Sequence, residues 1–405
     1  MTLDRRTLLG AAAAAGLATL PRRGRAQNPV VKLGVLNDQS GPYRDIGGQN
    51  GVAAVRQAVR EFGPSLNCEV VYADHQNKPD LGVSIAQQWF DRDGVDVIID
   101  VPTSSVGLAV NNVCKEKNKA YINTGAATGD LTGPQCTNVT IHYSYDTYML
   151  AKSTGGAMVK AGGDTWYFIT ADYVFGQQLQ RDTTSFVTSA GGKVLGASPY
   201  PFPGTTDFSS FLVSAQTSGA KVLGLANAGA DTVNSIKQAA EFGLTQKMKV
   251  AALLMFINDV HGLGLEAAQG LFLTESFYWD MNDQTRAFTK RFQELRPGVA
   301  PNMTNAADYS GALHFLKAVK DLGVANKGDG AAVVQRMKAM PIQDDAYGSA
   351  KIREDGLVLV PAYLFQVKSP AESKYPWDYF KQVVATPSDQ AWKPVSEEGC
   401  TLVRS

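Results

Sequence analysis

Two doubly wound α/β lobes, each on a parallel sheet and joined by a three-segment hinge, are predicted by three observations. Short apolar runs alternate with amphipathic stretches from residue 31 to about residue 323, the signature of βαβ crossovers. The alternation breaks at three places, where the chain should pass from one block to the other. A mature length of about 379 residues also exceeds what one hydrophobic core sustains, so two cores are required.

In chain order, the strand candidates begin with VKLGVLN from Val31, CEVVYAD from Cys68, VDVIIDV from Val95 and AYINTG from Ala120. TWYFITAD from Thr165, KVLGAS from Lys193, KVLGLAN from Lys221, VAALLMF from Val250 and LFLTESF from Leu271 follow. Their near-continuous Val, Ile and Leu content fits strands covered by helices on both faces. Between them GVAAVRQAVREFG, LGVSIAQQWFDRDG, DTVNSIKQAAEFG and DQTRAFTKRFQELRPG carry helical spacing and close on glycine. At HYSYDTY, from His142, a polar aromatic segment replaces the expected strand and turn, which marks the first crossing. LTESFYWDMND, from Leu273, runs from strand directly into a Trp- and Asp-containing turn and marks the second. AKIREDGLVLVPAYLFQV, from Ala350, reads as a hairpin around Asp355-Gly356 that returns the chain. The expected hinge residues are 143–146, 275–278 and 362–365. Residues 28–142 with 276–361 should form one lobe, and residues 143–275 with 362–405 the other.

Residues 1–26 read as a leader. Arg5 and Arg6 precede an apolar run from Leu8 to Leu20, and Gly24 and Ala26 offer small residues for cleavage, the pattern of a twin-arginine export signal. The run falls short of the roughly 20 residues that span a bilayer, so removal and release into the periplasm are expected. The leader holds five Arg and one Asp; without it 33 basic and 37 acidic residues remain, a net charge of about −4. That balance argues against a nucleic-acid partner, and no later stretch is apolar enough to insert in a membrane. Cys68, Cys114, Cys136 and Cys400 would enter an oxidising compartment without a CxxC or a paired His, so disulfides are favoured over zinc. Three connectivities are open; we favour Cys136 with Cys400.

Ligands of open parallel sheets bind beyond the carboxyl ends of the strands. The loops there are NDQSGPYRDIGG after the first strand, PTSSVG after the third and NTGAATGD after the fourth. Small hydroxyl residues before a helix, such as Thr103, Ser104 and Thr128, suit a carboxylate seat at a helix N-terminus, although each also fits a plain cap. His75 and His142 read as structural residues, because no second His or Cys has metal-ligand spacing. Trp279 and Tyr278 fit interlobe packing and ligand stacking equally. Lys290, Arg291 and Arg296 belong on a solvated helix face. No GxSxG or HExxH motif supports an enzyme, and no cofactor is implied.

The order of SGP, the SS-containing third loop, GAATGDLTG, ADYVFGQQ from Ala171, GTTDFSSFLVSAQ from Gly204, KQAAEFGL from Lys237 and AAQGLFLT from Ala267 carries a family resemblance. The mature chain resembles the leucine-isoleucine-valine-binding-protein type of periplasmic solute receptor that serves ABC importers. Within that type it is most similar to a proteobacterial branch associated with aromatic acids. The resemblance implies the type I periplasmic binding fold, a monomer that holds ligand between closing lobes and hands it to an inner-membrane permease. Its carboxylate loop falls on Thr103 and Ser104, and its second seat on Ala126 and Ala127 with Thr128 adjacent. Its cleft tyrosine falls on Phe175 with Tyr173 nearby, its far-side grip on Asn227, Ala228 and Asp231, and its ammonium-binding segment between Leu254 and Asp259, including Phe256. Ala127 replaces a hydroxyl, Ala228 or Gly229 replaces a tyrosine, and Leu or Met replaces the ammonium's glutamate. An unpaired buried ammonium is costly, so a hydrophobic carboxylate fits better, with Tyr43, Arg44, Asp45 and Ile46 lining an apolar slot with a charged edge. Asp231 or Asp259 remains available as a substitute ammonium partner.

Overall fold

The structure, a computed structural model, describes residues 29–403, so the leader lies outside the described residues. The first unit alternates β1 (Val31–Asn37), α1 (Gly48–Phe62), β2 (Cys68–Asp74), α2 (Pro79–Gln88), β3 (Val97–Asp100), α3 (Ser104–Lys117), β4 (Ala120–Asn123) and β5 (Thr140–His142). All neighbouring pairs are parallel, in the order β2-β1-β3-β4-β5. β3 and β4 are buried throughout, which is why their sequences show no polar alternation. β5 is a strand where the sequence suggests none. With Ile141 alone between Thr140 and His142 it carries no readable period, yet it pairs with β4 before the chain turns out at Tyr143.

The first crossing continues through α4 (Thr147–Leu150), capped by Asp146, and a π turn at Ala151–Gly155 into α5 (Gly156–Lys160). The second unit repeats the scheme with β6 (Thr165–Ala171), α6 (Val174–Ser189), β7 (Lys193–Tyr200), α7 (Ser209–Thr217), β8 (Val222–Ala226), α8 (Ala230–Glu241) and β9 (Lys249–Ala252). Its sheet, β7-β6-β8-β9, is again all parallel. Short helices α9 (Ile257–Leu263) and α10 (Leu265–Ala268) lead to β10 (Phe272–Glu275).

After β10 come α11 (Asp283–Gln293), α12 (Met303–Leu322) and α13 (Gly330–Ala339). α12 packs along α1 and against β3, and α13 against β4, so this part of the chain covers the first sheet. β11 (Ile342–Asp344), β12 (Gly348–Ile352) and β13 (Val358–Leu359) form a small antiparallel sheet. Its turn needs Gly356, with φ of +98°, because a Cβ there would lie 2.6 Å from the Thr140 carbonyl oxygen. β14 (Ala362–Val367) then joins β10 and β15 (Phe380–Thr386) in an antiparallel sheet. The C-terminal segment, with α14 (Ser388–Ala391) and α15 (Val395–Glu398), ends at a disulfide between Cys400 and Cys136, while Cys68 and Cys114 are free.

Glu275, at the end of β10, joins elements of both units. One carboxylate oxygen accepts the Ile257 N–H of α9 at 3.0 Å, and the other accepts the Met303 N–H of α12 at 3.2 Å. Each bond satisfies a donor that the first turn of a helix cannot pair within itself.

Candidate functional site

The strand-end loops of the two units face each other across a narrow cavity that their side chains nearly fill, leaving about 10 Å³. Tyr43 and Ile46 line it from the loop after β1, Pro102 from that after β3, and Gly125 and Ala127 from that after β4. Tyr145 comes from the first crossing, Tyr173 and Phe175 from the end of β6, Ala228 from that of β8 and Leu254 from that of β9. None of these lining side chains is charged. The gap is bridged by protein: the phenol oxygens of Tyr43 and Tyr173 are 2.7 Å apart, and the Ala230 N–H donates to the Pro42 carbonyl at 3.0 Å.

Local chemistry shapes the loops. The Asp38 carboxylate accepts the N–H groups of Gly41 at 2.7 Å and Tyr43 at 2.8 Å, folding the first loop into an Asx-type turn. It also accepts the Asn77 amide at 2.8 Å, and Asn77 in turn accepts the Thr103 hydroxyl, so loops after three strands are tied together. Thr103 therefore spends its hydroxyl inside the protein and leaves α3 without a side-chain cap. Ser104 is fully buried and its hydroxyl has no protein partner, in the first turn of a helix whose leading N–H groups lack intrahelical acceptors. The fourth-strand loop is fixed by the Tyr145 hydroxyl on the Gly125 carbonyl at 2.6 Å and the Thr147 N–H on the Ala127 carbonyl at 3.0 Å.

Of the residues singled out from sequence, Tyr43, Ile46, Ala127, Tyr173, Phe175, Ala228 and Leu254 come together in the cavity wall. The others do not line it. Ala126 bonds back to Asn123 through both its N–H and its carbonyl, and Thr128 accepts the Asp130 N–H as a plain cap. Asn227 is consumed by Thr232 and Ser235 on α8. Phe256 packs edge-on against Tyr145 behind the wall. Asp45 points to solvent beside Arg44. Tyr278 and Trp279 both donate to the Trp377 carbonyl, so they pack at the second crossing instead of facing the cavity. His75 and His142 are buried and bonded to backbone groups.

The two candidate ammonium partners are engaged elsewhere. Asp231 accepts the Tyr200 hydroxyl at 2.7 Å, and burial raises its pKa to about 6. Asp259 accepts the Phe256 N–H at 2.9 Å at the head of α9, and burial raises it to about 7. Both shifts have the sign of a carboxyl kept from water without a nearby cation.

Sequence reading missed Tyr145 and Phe202. Phe202 follows β7 and stacks on Tyr173, with ring centroids 4.5 Å apart, and on Tyr43 at 5.2 Å. Its signal was available in PYPFPG, an aromatic between prolines in a strand-end loop, the same class of loop that yielded the wall residues.

Paired parallel-sheet units meet at their strand-end loops around a small cavity, the position at which open α/β sheets bind ligands. The chain belongs to the periplasmic binding protein family, whose model matches residues 30–374. A periplasmic binding protein from Burkholderia mallei is 48% identical, with a TM-score of 0.88 over 93% of this chain and 99% of that one. A branched-chain amino acid ABC transporter periplasmic ligand-binding protein from Burkholderia xenovorans is 37% identical, with a TM-score of 0.79 over 92% and 99%. An ABC-transporter solute-binding protein from Rhodopseudomonas palustris, solved in complex with benzoate, shares the fold at 19% identity, with a TM-score of 0.80 over 92% and 100%. The type I architecture and the ABC-type periplasmic binding role follow from the family, and among the described residues no helix is long and apolar enough to cross a membrane.

Proposed function

We propose that this protein is exported to the periplasm and captures a small amphipathic carboxylate, an aromatic or branched-chain acid, for an inner-membrane ABC permease. The ligand lies between two lobes, residues 28–142 with 276–361 and residues 143–275 with 362–405, that close about segments 143–146, 275–278 and 362–365. The observation that carries the reading is a cavity walled by aromatic and aliphatic side chains without a charged one, at the foot of an uncapped helix with an unpartnered buried hydroxyl. The α3 N-terminus and Ser104 supply donors for the carboxylate, and Tyr145, Tyr173, Phe175 and Leu254 supply apolar contact. An α-ammonium would be desolvated against this wall with Asp231 and Asp259 already engaged.

The relatives' names include a branched-chain amino acid system and a benzoate complex, so the test is a direct comparison. In calorimetry on the mature protein, hydrocinnamate and a hydroxyphenyl acid should bind more tightly than phenylalanine or leucine, and each ligand should be recovered unchanged. Tight leucine binding with no response to the acids would overturn the reading and make Asp231 or Asp259 the ammonium partner.

A further inference from the structure

We propose that Tyr43 sets how large a ligand the cavity accepts, by filling the side of the cleft between the loops after β1 and β7. The inference rests on the capture reading above and assigns the size limit of that site to one side chain. Strand order places the β1 loop next to the β3 loop in one sheet, and the β7 loop next to the β6 loop in the other. A ligand anchored at the head of α3 and growing toward that side meets the Tyr43 ring.

The ring is held by its backbone anchor, its hydroxyl, one face and one edge. Its backbone N–H is fixed by Asp38, its hydroxyl meets that of Tyr173, and its face stacks on Phe202. Its edge lies over Gly229, where a Cβ would come within 3.1 Å of Tyr43 Cδ1, 3.2 Å of Ile46 Cδ1 and 2.4 Å of the Pro42 oxygen. Gly229 has φ of +60°, so the strained backbone and the close approach both require glycine there. Ala228 and Gly229 leave a gap on the far side of the cleft, and a ring from the near side occupies it. Tyr43 is only 3% exposed, so a ligand that displaced it would break the hydroxyl pair and the stack together.

The test measures affinities for benzoate, phenylacetate, 3-phenylpropanoate and 4-phenylbutanoate, and for leucine, phenylalanine and homophenylalanine, by calorimetry. Wild type, Tyr43→Ala, Tyr43→Leu and Tyr43→Phe are compared within whichever series the wild type binds. Truncation to Ala should raise the ratio of long-ligand to short-ligand affinity about tenfold or more, the scale of a methylene or two in an apolar pocket. Tyr43→Leu keeps apolar contact with Phe202 and should move the ratio the same way, which covers the case in which Tyr43→Ala does not fold. Tyr43→Phe should keep the wild-type ratio, because the ring and not its hydroxyl occupies the space. Equal loss across all ligands in the truncated variants would overturn the proposal while leaving the capture reading standing. Binding of the amino acids alone, with the ratio still shifted, would overturn the acid preference and leave Tyr43 as the size limit. A wild type that binds neither series would overturn both.

Discussion

Thr103 and Ser104 are adjacent hydroxyl residues with opposite accounts. Thr103 bonds to Asn77, which bonds to Asp38, so its hydroxyl holds loops together. Ser104 is equally buried and bonds to nothing in the protein. Ser104→Ala should therefore weaken carboxylate binding by about 1.5–3 kcal/mol, the scale of a hydrogen bond to a charged group, and leave the unliganded melting temperature nearly unchanged. Thr103→Val should do the reverse, costing about 1–3 kcal/mol of stability by leaving the Asn77 oxygen unpaired. Calorimetry and thermal melts on the two variants separate these roles, and wild-type affinity in Ser104→Ala would remove the anion seat from this helix.

At the scale of elements, β3 and α12 meet through two buried acids. β3 ends in Asp100, with φ of +83°, followed by Val101 at +61°, two left-handed residues without the freedom of glycine, just before the helix that heads the site. One Asp100 oxygen accepts the Asn37 amide and one Asp308 oxygen accepts the Thr124 hydroxyl, and the other oxygen of each has no partner. A Cβ on Gly51 would lie 2.8 Å from an oxygen of each, so glycine is the residue that lets both approach α1. Burial pushes both carboxyls above their ordinary range, and for Asp308 the charge of Asp100 adds to the effect. Such a group holds a proton in the native state that the unfolded chain releases, so its contribution is full below the ordinary carboxyl pKa and declines as pH rises. Asp308→Asn removes the second charge. The variant should melt like the wild type near pH 4 and gain on it progressively toward pH 8. A gap that stays constant across that range in denaturation experiments would show that the pair does not titrate as a unit.

For the whole molecule, the described arrangement is closed, with both units contributing to one hydrophobic cluster that includes Tyr43, Ala127, Phe175 and Ala228. Beyond the cavity the closure is joined by Asn302, whose amide donates to the Asn258 oxygen at 2.7 Å. A ligand held by both units gains its full contacts only in the closed form, so it should shift the population toward that form. Small-angle scattering should show the radius of gyration falling on ligand addition with an unchanged far-UV circular dichroism spectrum. Ala228→Arg, which puts a cation into a wall without an acid, should block that compaction and leave the spectrum intact. Binding without compaction in the wild type would move the site into one unit.

Strand and helix alternation, the two parallel sheets and the loops that wall the strand-end cavity were legible because each depends on short-range periodicity and on a general rule of α/β folds. VDVIIDV and KVLGLAN announce buried strands by composition alone, whereas β5, with one apolar residue, carries no period to read. Residue types also marked the loops. They could not say which polar groups are left without a protein partner and which are spent inside the protein, since Thr103 and Asn227 differ from Ser104 only in having Asn77, Thr232 and Ser235 within reach. The cavity wall draws one or two residues from each of seven separated segments; Tyr145 joins it from the first crossing through a contact that no local pattern encodes, and Phe202 backs it by stacking on Tyr173 and Tyr43. Local backbone and burial preferences fix the elements. The identity of the site is decided by which strand-end loops the two sheets bring face to face, a property of tertiary packing.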